Sequence, residues 1–254
     1  MTIGNQPGLE KFFRTKNVTF FILSIFITLF CFSCTPQDAK ATSSDKGTEA
    51  AQPEPSPDDI MKKIAGDDPF LGPENAPVVI VDFSDYFCPH CNELYFETIK
   101  KALKEYDGKI KFVARSAVML SERSYDANKS AFCAMEQGYF WEMHEILLHQ
   151  LDEMIHLEKT MENFRKLQRL MSKYNNAYLT DLASQIEGLD REKFNKCLID
   201  DPYRNKIIEA DQTFRQLGAQ GAPFVIINGK AFSGAVPYSF LKKAIDDELK
   251  SVAQ

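Results

Sequence analysis

The sequence predicts an α/β fold with a helical subdomain inserted between two β segments. Three observations predict it. Val78-Val79-Ile80-Val81-Asp82-Phe83 is a β-branched apolar run that passes through a short polar stretch into a helical pattern. Phe224 to Ile227 is a second such run, and Asn228-Gly229 behind it is the signature of a two-residue hairpin whose returning strand is Lys230 to Phe232. Between the two, from about Ser121 to Gly218, the pattern is helical throughout.

Taken from the N-terminus, residues 1–34 stand apart from this fold. Lys11, Arg14 and Lys16 precede an uncharged run from Val18 to Ser33, a basic region followed by an apolar one. The run is short for a spanning helix, which needs about 20 apolar residues. It closes on Cys31-Phe32-Ser33-Cys34, where Ser33 fits the small position before a lipid-accepting cysteine and Phe32 and Cys31 depart from the usual pattern. Three outcomes stay open: lipidation of Cys34, an uncleaved anchor, or ordinary signal cleavage. In each the basic flank stays inside, and the remainder is exported to an oxidising compartment outside the cytoplasmic membrane, the periplasm or its equivalent. Residues 35–58 are rich in Pro, Ser, Ala, Asp and Glu and read as a disordered tether. As a coil its reach is about 25–30 Å.

Residues 59–254 form the predicted domain. Asp59 to Ile64 is a short helix or a first strand. Pro77 to Phe83 is the central strand. A helix from Cys88 to about Tyr106 carries the apolar stripe Leu94, Tyr95, Ile99 and Leu103 and ends at the turn Asp107-Gly108. Lys109 to Val118 is a strand with Ile110, Phe112 and Ala114 on one side and Lys111 and Arg115 among the others. The helical insert covers about 119–218. In it Gly138 and Gly188 mark stops, Asp190 marks a start, and Trp141, Ile146, Leu147 and Leu151 have core spacing. Asp201-Pro202 reads as the N-cap and first residue of a helix carrying Ile207, Ala210, Phe214 and Leu217, closed by Gly218. His144, His149 and His156 have no carboxylate cluster beside them, so surface or satisfied core histidines are favoured over a metal site. From Val236 the pattern is helical again, with Leu241, Ala244, Ile245 and Leu249 inward.

Composition bounds function before any motif does. Of 254 residues 44% are hydrophobic, the proportion of a globular core, and the net charge of −6 excludes a nucleic-acid surface because no basic cluster offsets it. The chemistry concentrates at Cys88-Pro89-His90-Cys91. Residues three apart share a helix face, so the two sulfurs can close a disulfide within one turn. A Cys88 thiolate at the helix N-terminus is stabilised by unpaired N–H groups and the helix dipole, which lowers its pKa from about 8.5. Pro89 suits the first turn, and a protonated His90 between the sulfurs adds positive charge. Cys88 is then the nucleophile and Cys91 the resolving thiol. A structural disulfide or a zinc half-site would fit the same spacing, although zinc wants a second close Cys/His pair and the globular part has none.

Phe87-Cys88-Pro89-His90-Cys91 after an apolar strand resembles the DsbA family of thioredoxin-fold oxidoreductases. Asp68 to Pro77 resembles that family's lead-in to the first central strand, Ala131 to Trp141 a segment of its helical insert, and Gly221-Ala222-Pro223-Phe224 the segment carrying its cis-proline. The similarity spans roughly residues 67–250. It implies an α/β thioredoxin fold with an inserted helical subdomain that borders the active site. It also implies a cis Ala222–Pro223 peptide lying against the Cys88–Cys91 disulfide and offering backbone groups to an extended substrate. Ala222 departs from the family, which more often has Thr or Val there. Asp82, six residues before Cys88, would be a solvent-facing strand residue on pattern alone; the resemblance makes it a buried acid that takes the proton of Cys91. Cys133 and Cys197 fall in the insert, where an exported chain favours pairing and some family members carry a second, non-catalytic disulfide. Such a bridge would close a loop of about 65 residues, and two buried free thiols are the alternative.

The function this implies is exported thiol:disulfide exchange, as an oxidase of cysteine pairs in folding proteins. Its substrates would be exported proteins with free or mispaired cysteines, and a membrane redox protein would recycle it. Membrane attachment would run through lipid or the N-terminal anchor. No dissociable cofactor is implied, because the disulfide carries the electrons. The rivals are an exported reductase or isomerase and, from another class, a non-catalytic surface binding lipoprotein.

Overall fold

The structure, a computed structural model, describes residues 57–151 and 160–252. Residues 1–34 with Cys34, the tether up to residue 56, and His156 lie outside the described residues.

A five-stranded sheet carries the fold. Its central strand, β2 (Val78–Ser84), runs parallel to β3 (Ile110–Ser116) and antiparallel to β4 (Phe224–Ile227). The edges are β1 (Phe70–Leu71), antiparallel on β3, and β5 (Lys230–Ser233), antiparallel on β4, giving the order β1-β3-β2-β4-β5. The hairpin between β4 and β5 turns at Asn228 and Gly229, both with positive φ (43° and 87°), as a primed turn requires. Asn228 also locks the hairpin to β2, because its Oδ1 accepts from the N–H of Val79 at 2.8 Å.

Helices cover both faces of the sheet, so β2 is apolar on both sides. Val78 and Ile80 pack with Leu94, Ile99, Leu241 and Ile245, while Val81 and Phe83 pack with Met61, Ile64 and Phe214. Residues 57–65 are the helix α1 (Pro57–Ala65), so the choice left open between helix and strand falls to helix, beginning within the expected tether. The connection from β2 to β3 is one helical run: α2 (Pro89–Glu93), a π-helical stretch (Leu94–Ile99) and α3 (Lys100–Glu105). The insert holds α4 (Glu122–Met135), α5 (Phe140–His149), α6 (Met161–Lys173), α7 (Asn176–Ala183), α8 (Arg191–Asp200) and α9 (Arg204–Gln216). The chain ends on α10 (Tyr238–Val252). Cys133 on α4 is disulfide-bonded to Cys197 on α8, 64 residues away.

The face of β3 opposite Ile110, Phe112 and Ala114 is covered as well: the side chain of Arg115 is fully buried, because α1 and α9 close over it. Its guanidinium pairs with Asp68 at 2.8 Å and with Glu209 of α9, and donates to the carbonyl of Ile64 at the end of α1. Asp201 is not an N-cap: it sits in the left-handed region (φ 52°) as the C-cap of α8, and Tyr203 precedes α9. The apolar stripe of α9 is nevertheless buried as the spacing predicts, at Ile207, Ala210 and Phe214. Gly72, at the turn after β1, has φ +90°, and a Cβ there would come within 2.1 Å of the Ile110 carbonyl oxygen, so only glycine fits.

Candidate active site

The site forms where β2 ends. Cys88 takes an extended conformation (φ −95°, ψ 112°) as N-cap of α2, and Pro89 occupies the first turn, where its missing N–H has no helical partner to lose. The loop is shaped by Asp85, which the sequence reading passed over. Its fully buried carboxylate accepts from the N–H of Phe87 (2.8 Å) and the hydroxyl of Ser124 (2.9 Å) on one oxygen, and from the N–H groups of Met119 (2.9 Å) and Leu120 (3.0 Å) on the other. Four donors from three segments thus hold the residue three positions before Cys88. The available signal was an Asp bonding the backbone two residues on, just ahead of a helix start.

The two thiols, both free, sit in different environments. Cys88 is 8% exposed. The Cys91 side chain and the backbone N–H groups of Cys91 and His90 hold its pKa below the ordinary thiol value, against the opposing effect of burial. Cys91 is fully buried, and burial pushes its pKa well up, helped by Cys88 and by the charge of Asp82. Cys88 is thus the sulfur that ionises more readily and Cys91 the one that holds its proton more tightly, the asymmetry that a nucleophile and a resolving thiol need. The cis Ala222–Pro223 peptide faces Cys88, whose Sγ lies 3.2 Å from the Ala222 carbonyl oxygen.

Asp82 is 3% exposed and not solvent-facing. It shares the face of β2 that carries Val78 and Ile80, toward the redox helix, between Ala114 of β3 and Val225 of β4. Burial pushes its pKa up to about 7, and the hydroxyl of Ser84, donating to Oδ2 at 2.6 Å, pulls the other way. His90 departs from expectation. Its Nδ1 lies 3.3 Å from Glu93 on the exposed side of α2, so the backbone N–H rather than the imidazole serves Cys88.

Aromatic contacts tie this loop to the insert. Tyr86 and Nδ1 of His144 on α5 are hydrogen-bonded at 2.8 Å, and His144 is ringed by Tyr95, Phe140 and Trp141. Phe87 meets the buried ring of Tyr174 edge-on at 4.6 Å, and Asn92 donates to the Leu148 carbonyl at 2.5 Å. His144 is therefore a core histidine, and His149 stacks on Phe96. Among the described residues no group of three or more His, Cys, Asp or Glu side chains could hold a metal ion. The structure thus gathers Cys88, Pro89, His90, Cys91, Asp82 and Pro223 at one end of the sheet and leaves the Cys133–Cys197 bridge in the insert.

Comparison with known proteins places this geometry. A family described as thioredoxin matches residues 65–247. Disulfide bond formation protein D of Bacillus subtilis is 24% identical over 219 residues, covering 82% of this chain and 85% of that protein. A Na⁺/H⁺ antiporter of Salinispora tropica is 26% identical over 190 residues, but the chain spans only 26% of that protein's length. Among solved structures, the thiol-disulfide exchange protein alpha-DsbA2 of Wolbachia pipientis superposes with a TM-score of 0.59 at 27% identity, covering 74% of this chain and 91% of that one.

Proposed function

The chain belongs to the thioredoxin family as a DsbA-like thiol:disulfide oxidoreductase, and from that footing we propose that it works as an exported oxidase of protein cysteines. The observation that carries this reading is the asymmetry between the two sulfurs. The Cys88 thiolate is favoured by Cys91 and by backbone N–H groups at the start of α2. Favouring that thiolate favours the reduced form, which makes the Cys88–Cys91 disulfide the stronger oxidant.

In the cycle a substrate thiolate attacks Cys88 Sγ of the oxidised pair and the Cys91 sulfur leaves with the bonding electrons. Asp82, when protonated, supplies the proton that the departing sulfur needs. A second substrate thiolate then attacks the substrate sulfur of the mixed disulfide, and Cys88 leaves as the stabilised thiolate. Pro223 and the Ala222 carbonyl flank the sulfur under attack. The disulfide itself carries the electrons. Substrates are exported proteins with free or mispaired cysteines, and a membrane redox protein restores the disulfide. The basic-then-apolar N-terminus is the support for export and for attachment through Cys34 or an anchor. Among the described residues no helix is long and apolar enough to cross a membrane.

A second reading, an exported reductase, is favoured by one observation: the imidazole of His90 pairs with Glu93 on the exposed side of α2. Equilibration of the Cys88–Cys91 pair with glutathione buffers decides between the two. The oxidase reading expects a reduction potential near about −120 mV, and a value near about −270 mV would replace it with the reductase.

A further inference from the structure

Among the described helices of the insert, α6 alone has no buried residue. Its start is properly capped, because the Thr160 side chain accepts from the N–H of Asn163 at 3.2 Å. Its apolar stripe divides in two. Leu167, Leu170 and Met171 pack against the core. Met161 and Phe164, one turn apart at the start, stay 67% and 54% exposed, and Met161 is the most exposed large apolar side chain among the described residues. Cations sit beside that pair. Arg165, Arg169 and Lys173 follow Met161 at four-residue spacing and continue its row along the helix, with Lys166 flanking them. Glu162 is the one acid of α6. None of the four cations forms an ion pair with another described residue. On α8, α9 and α10, by contrast, Lys196, Arg215 and Lys243 each pair with an aspartate of their own helix. A chain of net charge −6 thus carries one helix with four uncompensated cations against a single acid.

We infer that α6 is an interfacial helix that docks on an anionic phospholipid surface, with Met161 and Phe164 dipping into the headgroup–acyl boundary and Arg165, Arg169 and Lys173 on lipid phosphates. A basic face, an apolar face and little net hydrophobicity are the composition of a helix that lies in the interface plane. At 13 residues it is too short to cross, which takes about 20. The charge selects the lipid, since each Lys or Arg near an anionic surface favours the docked state by about fivefold. The arrangement also selects a lipid layer over a protein partner. Apolar and cationic side chains alternate along one convex ridge, so the partner must offer anionic and apolar groups side by side along its whole length. A phospholipid layer does so without being shaped to fit. Docking bears on the redox site through Tyr174, which closes α6 and meets Phe87, the residue before Cys88, edge-on at 4.6 Å. A docked α6 therefore keeps the redox loop beside the lipid surface. The inference depends neither on the direction of exchange nor on the attachment proposed for the N-terminus.

The test places an indole on α6. Full-length Phe164→Trp is reconstituted in vesicles of phosphatidylcholine alone, or of equal parts phosphatidylcholine and phosphatidylglycerol, with part of the lipid brominated in its acyl chains. The wild type, which emits from Trp141, is the blank. The indole at position 164 is expected to shift blue in the mixed vesicles and to be quenched at least about fivefold more than in phosphatidylcholine. The effect should vanish in about 1 M salt, where the Debye length is about 3 Å. Changing Arg165, Lys166, Arg169 and Lys173 together to glutamine should bring the quenching down to the phosphatidylcholine level. All four are exposed, so the unfolding temperature should stay where it was. Equal quenching in the two kinds of vesicle, or quenching that survives the glutamine substitutions, overturns the anionic surface. No quenching in the mixed vesicles overturns the inference and leaves α6 to a protein partner. Pelleting the same vesicles shows whether the chain is held through its N-terminus, so a failure of α6 to dock is distinct from a failure of that attachment.

Discussion

Tyr86 and His144 are hydrogen-bonded at 2.8 Å across 58 residues of sequence, and through that bond the loop that presents Cys88 is fastened to the helical insert. Burial holds the imidazole neutral, with a pKa pushed down to about 3. His144→Phe leaves the buried Tyr86 hydroxyl without its partner, so a loss of about 1–3 kcal/mol is expected in denaturant unfolding at pH 7. The pH dependence has a definite sign. A histidine whose folded pKa lies below its unfolded value contributes fully above about pH 6.5, and the contribution is lost as pH falls from there toward about 3. The wild type should therefore lose stability through that window, and the Phe variant should lose less.

Asp82 works in the opposite direction. Its folded pKa of about 7, against an ordinary 3.8, means that the folded state binds the proton more tightly. Its favourable contribution is present below about pH 3.8 and is lost as pH rises through about 7. Asp82→Asn is expected to stabilise the protein by up to about 4 kcal/mol at pH 8 and by little at pH 4. Unfolding curves at the two pH values that showed the same change would contradict the buried, uncompensated acid.

Removing the second disulfide should separate stability from chemistry. In the chain-entropy picture, opening a loop of 64 residues by replacing both Cys133 and Cys197 with alanine costs about 4 kcal/mol. The reduction potential of Cys88–Cys91 should not move, because neither residue lines the redox site. A potential that shifted with the double substitution would show that the insert transmits strain to the loop.

Arg115 is the most demanding position outside the active site. Arg115→Met leaves the buried carboxylate of Asp68 with Lys206, at 3.3 Å, in place of its closer cation and takes the partner of Glu209, and a loss of up to about 3–5 kcal/mol is expected from thermal or denaturant unfolding. Adding Asp68→Leu should recover most of it, since a buried pair replaced by apolar groups is often close to neutral. Additive losses in the double variant would mean that each residue contributes independently of the other.

These positions also mark where the sequence is legible. The strand at Val78–Ser84, the hairpin at Asn228-Gly229 and the buried stripe of α9 follow from periodicity and turn chemistry, which are local properties. The pairing of cysteines three apart and the helix-start proline declare the redox site in the same local way. The burial of Arg115 is not legible in strand alternation, because helices cover both faces of β3. Asp201-Pro202 carries the letters of a helix start, yet the residue closes the preceding helix in a left-handed turn, a choice set by how α8 meets α9. Tyr174 and Asn92 act through partners 56 to 87 residues away, and Asp85 joins its local bond to Phe87 with bonds to Met119, Leu120 and Ser124, 34 to 39 residues on, so no short window along the chain contains both ends of those contacts.

Trp141 is the only tryptophan in the chain, and it stands edge-on to His144 at 5.3 Å. All indole emission from this protein therefore originates one ring away from the Tyr86 bond that anchors the Cys88 loop. The molecule carries its own optical reporter at the joint between redox loop and insert. Motion of that joint can be followed in real time on the unlabelled protein, with no dye attached and no cysteine spent on attaching one.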